Sequence, residues 1–255
     1  MTASLRDIRV FTTFPHECSY LDGKEATTLF IDPRQTISKE LYSHLSAIGF
    51  RRSGDHIYRP HCARCNACIA SRIPVASFKR TKSQQRVWRR NQDLRLEETS
   101  DILDKDAFSL YCRYVEKRHA DGDMYPPDED QYRSFLNNSL GNTRYFRLYE
   151  DEHLLGIMVS DQMQDGLSAI YTFYEPTQDH RSLGTFAVLY QVELARQLSL
   201  DHVYLGYWIQ SCEKMSYKAR FHPLEILVGG EWQQREKLMM GGSAAITSQR
   251  FIEKP

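Results

Sequence analysis

Residues 144–208 contain the succession of elements that decides the fold. Strand-like runs rich in aromatic and β-branched residues alternate with short polar turns, and one long helical pattern interrupts them. The runs are RYFRLY (144–149), LLGIMVS (154–160), LSAIYTFY (167–174) and HVYLGYW (202–208), with a helix predicted at 184–198. A short helical stretch (213–219) and a strand (224–230) follow. The predicted order is therefore β-β-β-α-β-α-β, which is typical of an α+β domain.

This order resembles that of the GNAT-type acyltransferases. The segment before the predicted helix, RSLGTF (181–186), is similar to the R-x-x-G-x-G/A phosphate loop of that fold, except that Phe186 replaces the last small residue. The first N–H groups of a helix suit a phosphate in either case. The bulk of Phe186 disfavours coenzyme A as the acyl donor.

The first half of the chain is less regular, but several elements are predicted. Ser38 begins a short helix that ends before Gly49, residues 50–59 form a hairpin, and residues 69–75 form a strand. A second helix is predicted at 82–91. Asp104 is predicted to cap a third helix, and residues 121–130 are predicted to form an acidic loop.

Residues 51–95 are strongly basic. They contain twelve Arg and Lys residues against two Asp, a net charge of +10, whereas the whole chain has a net charge of zero. In the predicted helix at 82–91, Lys82, Arg86, Arg89 and Arg90 fall near one face. This polarity predicts RNA or another polyanion as the partner of the segment. The alternative is a solvated charged face.

Three cysteines at a spacing of three, Cys62, Cys65 and Cys68, precede the basic helix, and Cys18 could supply a fourth thiolate. Thiolates at this spacing can turn onto one centre, which predicts a structural zinc or an iron–sulfur cluster. The alternative is a packed group of unligated thiols under the hairpin. Cys112 fits a helix core, and no base is adjacent to Cys212 that would make it a nucleophile.

The balance of charge reverses near residue 100, which predicts a division there. We therefore expect a smaller, cysteine-containing basic α+β domain at 1–100, followed by the GNAT-type domain at 101–255. No apolar run approaches the roughly 20 residues that span a bilayer. The first fifteen residues contain no apolar signal region, so we expect a cytoplasmic protein with no membrane partner.

Nearly the whole chain resembles the aminoacyl-tRNA–protein transferases of the arginyltransferase family, most closely its bacterial aspartate/glutamate leucyltransferase branch. Besides the cysteine segment and SLGT (182–185), the resemblance is carried by FPHECSYLDGKEATTLFIDP (14–33) and YLGYWIQSCEKMSYKARFHPLEIL (204–227). The family motif C-G-Y-C reads Cys18-Ser19-Tyr20-Leu21 here, so Leu21 occupies one family cysteine position.

The resemblance implies transfer of leucine from leucyl-tRNA to the α-amine of proteins that begin with Asp or Glu, which marks them for degradation by the N-end rule pathway. An aminoacyl ester is already activated, so the chemistry requires no cofactor. The alternatives are an arginyl donor, a non-catalytic RNA-binding protein with an acyltransferase-like fold, and a coenzyme A-dependent N-acetyltransferase.

Site residues follow from this interpretation. Asp161 is predicted to relay the amine proton, with a structural cap as the alternative, and Tyr207 is predicted to stabilise the oxyanion. Lys218 and Arg220 are predicted to bind the acidic side chain of the acceptor, with Arg80 as a competing choice. The predicted tRNA contacts are Lys79, Arg80, Lys82, Arg86, Arg89, Arg90, Arg181, Gly184 and Thr185.

Overall fold

The computed structural model describes residues 8–122, 124–137 and 139–240, and the strands of these residues form three sheets. The strands are β1 (Val10–Thr12), β2 (His16–Glu17), β3 (Glu25–Ala26), β4 (Thr28–Ile31), β5 (Arg51–Ser53), β6 (His56–Pro60), β7 (Ile69–Pro74), β8 (Arg95–Thr99), β9 (Thr143–Glu150), β10 (His153–Gln162), β11 (Gly166–Tyr174), β12 (His202–Trp208), β13 (Glu225–Val228) and β14 (Glu231–Gln234). The helices are α1 (Lys39–Ala47), α2 (Lys82–Arg90), α3 (Lys105–Arg118), α4 (Glu129–Leu136), α5 (Leu183–Gln197), α6 (Glu213–Ser216) and α7 (Arg235–Met240).

The largest sheet has eight strands in the order β14-β13-β7-β12-β11-β10-β9-β8. Strands β9, β10 and β11 form the antiparallel meander that the three runs predict, and β12 returns parallel to β11 through helix α5. The predicted order of elements is therefore confirmed for this half of the chain, with β14 and α7 as additions that the sequence did not predict.

Helix α5 packs its apolar face on this sheet. Its residues Leu183, Phe186 and Leu189 are at most 1% exposed and belong to the largest core cluster. The ring of Phe186 lies 5.5 Å from that of Trp88 on α2, so this residue holds the two helices together. That packing accounts for a large apolar residue where the phosphate loop of GNAT-type proteins has a small one.

The eight-stranded sheet takes strands from both sides of residue 100. Strand β7 lies between β12 and β13, and β8 pairs with β9 at the edge. The boundary predicted from charge therefore does not divide the sheet, and a separate N-terminal domain is not confirmed. Residues 1–7 and 241–255 of the two predicted domains lie outside the described residues.

The second sheet, of order β1-β4-β6-β5, contains the predicted hairpin, now seen as β5 and β6. Helix α1 covers this sheet, and the Ser38 side chain caps it by accepting a hydrogen bond from the backbone N–H of Leu41. The core beneath includes Tyr204 from the large sheet and Met163, which directly follows β10. The two sheets therefore share buried contacts, and residues 29–57 pack directly on the second half.

The remaining local predictions are met with small changes of boundary. Asp104 caps α3 as predicted, by accepting hydrogen bonds from two backbone N–H groups. The acidic segment ends earlier than predicted, because Asp128 caps α4 and residues 129–130 already belong to that helix. Residue 123 of this segment lies outside the described residues. Among the helices described, none is long and apolar enough to span a membrane.

Candidate active site

Strands β11 and β12 pair over only three residues, and beyond them the two strands of the sheet are no longer joined to each other. Their parallel pairing extends only from residues 166–168 to residues 202–204, where Gly166 allows close approach because a Cβ there would lie 2.5 Å from the His202 carbonyl oxygen. Beyond these residues β11 pairs with β10, and β12 pairs with β7. A bulge at Ile170 bends β11 at this point, since Val159 opposes Tyr171 and Ser160 opposes Ala169. We call the gap between residues 169–174 and 205–208 the splay cleft.

Arg51 enters the splay cleft from strand β5. Its Nη2 donates a 2.8 Å hydrogen bond to the Ala169 carbonyl oxygen, which no longer pairs with β12. Across the cleft, a Cβ on Gly206 would be in ordinary contact with Arg51 Nε at 3.5 Å, and the backbone there has φ +79°, a conformation that favours glycine. Arg51 thus closes the narrow end of the cleft.

The Arg51 guanidinium is buried and carries no counter-charge. The residue is 7% exposed, its Nη1 is buried without a hydrogen-bond partner, and no carboxylate of the residues described lies within 4.0 Å of it. In the sequence, Arg51 is distinguished only as one member of the basic segment. The pair Arg51-Arg52 is the feature of the sequence that could have indicated this role. The pair lies on a short strand next to buried Phe50, so its basic side chains must enter the core.

Lys218 lies beside Arg51 and is 5% exposed. Its Nζ donates a 2.5 Å hydrogen bond to the Tyr207 carbonyl oxygen and contacts Met215 Sδ at 3.0 Å. Burial, and after it the positive charge of Arg51, lower the pKa of Lys218 to about 7. Arg220, the other predicted acceptor residue, is exposed, and its carbonyl oxygen accepts a hydrogen bond from Gln84 Nε2 on α2. The two residues are therefore not brought together.

The Tyr207 hydroxyl is already occupied. It donates to the Gly49 carbonyl oxygen at 2.9 Å, the residue is 6% exposed, and burial raises the pKa of the hydroxyl well above its usual range. A hydroxyl that points at the backbone of the loop after α1 cannot also face a developing oxyanion in the cleft. The predicted oxyanion role of Tyr207 is therefore not supported, and its hydroxyl instead holds the two sheets together.

Asp161 also has a structural environment. Its side chain and that of Arg52 are both 0% exposed, and Arg52 contacts the two carboxylate oxygens through Nε at 2.5 Å and Nη2 at 2.7 Å. Hydroxyls of Tyr42 (2.9 Å) and Thr143 (2.7 Å) donate to the same carboxylate. A carboxylate enclosed in this way cannot meet a substrate amine, so the predicted proton relay is corrected to a buried ion pair.

The N-terminus of α5 lies at the wide end of the splay cleft. Ser182 begins the helix in the left-handed conformation, and its side chain makes no capping hydrogen bond to the first N–H groups, which include those of Gly184 and Thr185. Tyr174, the last residue of β11, lies against this turn, because a Cβ on Gly184 would be 3.3 Å from its ring. These N–H groups are therefore placed to bind a polar group at the wide end.

Arg181 is predicted to contact tRNA, but the structure gives it partners within the chain. Its Nη2 forms ion pairs with Asp93 (2.8 Å) and Glu150, and its Nη1 donates to the Arg90 carbonyl oxygen at 3.3 Å. The residue is 7% exposed. It therefore joins the end of α2 to the start of α5 and is not available to a phosphate.

Helix α2 carries the exposed basic residues of the predicted face, and Thr81 and Gln84 cap its first turn. Among the described residues, no carboxylate lies within 4.0 Å of its four exposed cations, which are Lys82, Arg86, Arg89 and Arg90. Arg90 also donates to the His180 carbonyl oxygen, so this basic face leads to the turn before α5.

Lys79 and Arg80 lie beyond the other end of α2. They line a cavity of about 240 Å³ together with Arg196. Lys79 is exposed, but Arg80 pairs with Glu193 at 3.0 Å and lies 3.8 Å from the centre of the Trp88 ring. Arg80 therefore packs α2 on α5. These contacts do not support the alternative in which Arg80 binds the acidic side chain of the acceptor.

The four cysteines predicted as ligands are half-buried neighbours. Burial, and after it the nearby thiols of Cys18, Cys62, Cys65 and buried Cys212, raise the pKa of Cys68 to about 12. The described residues contain no group of three or more His, Cys, Asp or Glu side chains arranged to hold a metal ion. The thiols are thus close together, and a structural zinc or iron–sulfur cluster at these four cysteines stays a prediction. Cys112 lies half-buried on α3.

A sheet opened between two parallel strands, with free helix N–H groups at one end and buried cations at the other, can bring an acyl donor to a nucleophile. These features define a group-transfer enzyme. Residues 16–86 match the N-terminal part of arginine-tRNA-protein transferase and residues 106–228 match its C-terminal part. The chain belongs to the arginine-tRNA-protein transferase family.

Two curated relatives are similar over nearly their whole length. An aspartate/glutamate leucyltransferase of Pseudomonas fluorescens (strain Pf0-1) is 49% identical over 228 residues, which is 89% of this chain and 97% of the relative. One of Hahella chejuensis (strain KCTC 2396) is 50% identical over 230 residues, 90% of this chain and 98% of the relative. Among solved structures, FemX matches with a TM-score of 0.44 and 10% identity, covering 82% of this chain and 81% of FemX.

Proposed function

We propose that this chain transfers leucine from leucyl-tRNA to the N-terminal amine of proteins that begin with Asp or Glu. The observation that carries the proposal is the identity of about half of all residues with aspartate/glutamate leucyltransferases over 97–98% of their length. The splay cleft supports it, because it offers separate places for a polyanionic donor and an acidic acceptor.

The fold is assigned here to the GNAT type. The order of the strands, the crossover through α5 and the divergence of β11 from β12 support that assignment. In such a sheet the acyl group and the nucleophile can approach each other through the gap between the diverging strands.

The donor tRNA would lie along helix α2. Lys82, Arg86 and Arg89 are exposed and unpaired within the described residues, and Arg90 leads to the turn before α5. Phosphate contacts supply most of the affinity for a nucleic acid, while helix N–H groups bind its polar end. The aminoacylated end would therefore reach Gly184 and Thr185 at the wide end of the splay cleft.

The reaction joins the acceptor amine to the leucyl carbonyl carbon. The amine nitrogen forms the new amide bond, the ester bond to the terminal ribose breaks, and the ribose hydroxyl gains the proton that the amine loses. An α-amine has a pKa near 8, so part of it is already unprotonated near neutral pH. The protein then contributes mainly by holding the two reactants together.

We place this reaction in the cytoplasm, where charged tRNA is available. Addition of leucine would give the product a new N-terminal residue that the N-end rule pathway recognises. This biological role rests on the family and is tested apart from the chemistry.

A panel of donors tests the proposed function. Purified protein is incubated with a peptide that begins with Asp and with leucyl-tRNA, arginyl-tRNA or acetyl-coenzyme A, each radiolabelled in the acyl group. Label from leucyl-tRNA is expected to enter the peptide at a rate at least about 10-fold above that from arginyl-tRNA, since one misfit side chain costs roughly 1–3 kcal/mol of transition-state binding. A matched peptide with an acetylated N-terminus is the control and should stay unlabelled. Preferential transfer of arginine would refute leucyl-tRNA as the donor. The absence of transfer from all three donors would favour a non-catalytic RNA-binding protein.

A further inference from the structure

We propose that Arg51, together with Lys218, binds the side-chain carboxylate of the acceptor's N-terminal residue at the narrow end of the splay cleft. This inference rests on the proposed function and names the residues that would give it its specificity for Asp and Glu. Neither the basic segment of the sequence nor the similarity to relatives assigns a role to Arg51.

The first argument is the missing counter-charge. A buried guanidinium is costly unless it is paired, and the other well-buried arginines of this protein are paired. Arg52 contacts Asp161, Arg72 contacts Glu225 at 2.8 Å, and Arg181 contacts Asp93 at 2.8 Å. Arg51 is as buried as Arg181, yet its Nη1 has no hydrogen-bond partner among the residues described. A guanidinium held in this way is ready to receive an anion.

The second argument is geometry. The hydrogen bond from Nη2 to the Ala169 carbonyl oxygen fixes the plane of the guanidinium in the gap between the two strands. The backbone of Gly206 lies close to the other face of the guanidinium, because a Cβ there would contact Nε at 3.5 Å. Lys218 Nζ is fixed by the Tyr207 carbonyl oxygen, on the neighbouring residue of the same strand. Two rigidly held cations on one short stretch of cleft form a built anion site.

The third argument concerns the size of the anion. Arg51 is 7% exposed and Lys218 is 5% exposed, so a ligand must extend a narrow group to reach them. A carboxylate at the end of an Asp or Glu side chain is such a group, and its own α-amine then lies one to a few bonds away in the cleft. A phosphodiester is flanked by two nucleosides and suits the exposed face of α2 better. The site therefore favours the acceptor over the tRNA.

The pair also accounts for selectivity between acids and amides. A bound carboxylate gives both cations a counter-charge, whereas the amide of Asn or Gln leaves them buried without one. The lowered pKa of Lys218 agrees with this view, because its causes, burial first and then the charge of Arg51, would both be offset by a bound anion. Asn- and Gln-initiated chains are therefore rejected by the same two residues that accept Asp and Glu.

Direct binding tests this site independently of the transfer reaction. Calorimetric titration without tRNA compares two peptides that differ only in beginning with Asp or Asn, using the wild type, Arg51→Gln, Arg51→Lys and Lys218→Met. The wild type is expected to prefer the Asp peptide, and Arg51→Gln is expected to lose at least about 30-fold of its affinity for that peptide alone, since breaking a buried charge pair costs about 2 kcal/mol or more. The affinity of Arg51→Lys for the Asp peptide should lie between those of the wild type and Arg51→Gln, because lysine keeps the charge.

Arg144→Gln is the matched control, because it removes a guanidinium on β9 that pairs with Glu98 on the edge strand β8. It should bind the Asp peptide as the wild type does. Equal affinity of the wild type for the Asp and Asn peptides would overturn the site even if leucine is transferred. If the Arg51→Gln variant kept its peptide preference but bound tRNA with a smaller salt dependence, Arg51 would contact a tRNA phosphate. That result would also overturn the proposed carboxylate site.

Discussion

Replacement of Asp161 by alanine is expected to lower the free energy of unfolding by about 3–5 kcal/mol. The change removes the only carboxylate that pairs with Arg52 in the described residues and leaves a guanidinium buried at 0% side-chain exposure. It also removes the acceptor of the Tyr42 and Thr143 hydroxyls. Urea unfolding followed by circular dichroism measures the loss.

Asp121→Ala is the matched control, because it breaks the exposed ion pair with Lys214 and should leave the unfolding free energy nearly unchanged. The double replacement Arg52→Met with Asp161→Leu should recover part of the stability that the single change loses. If the Asp161→Ala protein kept wild-type stability but lost its kcat, the result would instead support the proton-relay role of Asp161.

Removal of Lys82, Arg86 and Arg89 by alanine is expected to weaken binding of leucyl-tRNA roughly 100-fold near physiological salt. Each phosphate contact that is lost lowers the slope of log affinity against log salt by about 0.7–0.9, so the slope should fall by about two to three units. These three residues are chosen because Arg90 also contacts the His180 carbonyl oxygen and Arg80 packs on Trp88. Fluorescence anisotropy at several salt concentrations measures both quantities.

The control for α2 is a triple variant of exposed lysines on other helices, Lys39, Lys105 and Lys117, each replaced by alanine. It changes the net charge by the same amount and should alter tRNA affinity by no more than about 3-fold, through long-range attraction alone. If both triple variants lose affinity equally, the tRNA does not lie along α2.

Local features of the fold could be predicted from the sequence because their causes are local. The strand runs at 144–174 carry their own turns, and Ser38 and Asp104 cap helices that begin directly after them. The place of β7 could not be predicted, because it is set by pairing with β12, more than a hundred residues away. Charge suggested a boundary at residue 100, but charge describes the surface, whereas the sheet follows buried strand pairing.

In the candidate site, too, local features could be predicted from the sequence and long-range contacts could not. Lys82, Arg86 and Arg89 are exposed with no carboxylate within 4.0 Å among the described residues, so the tRNA contacts that their charge suggests stay a prediction. The position of Asp161 at a strand end and the hydroxyl of Tyr207 predict roles in the cleft, but Arg52 and Gly49, far away in the sequence, hold their polar groups. Arg51 cannot be assigned from the sequence for the same reason, because only the contact with Ala169 places it in the splay cleft.

The most direct test of the proposed function is the mass of a peptide that begins with Asp after incubation with the protein and leucyl-tRNA. Tandem mass spectrometry should find one leucine residue added at the α-amine, in an amount that grows as the leucyl-tRNA is consumed. The peptide that begins with Asn should stay unmodified. A peptide that begins with Asp and keeps its original mass, while the protein is folded and binds leucyl-tRNA, would contradict the transferase function.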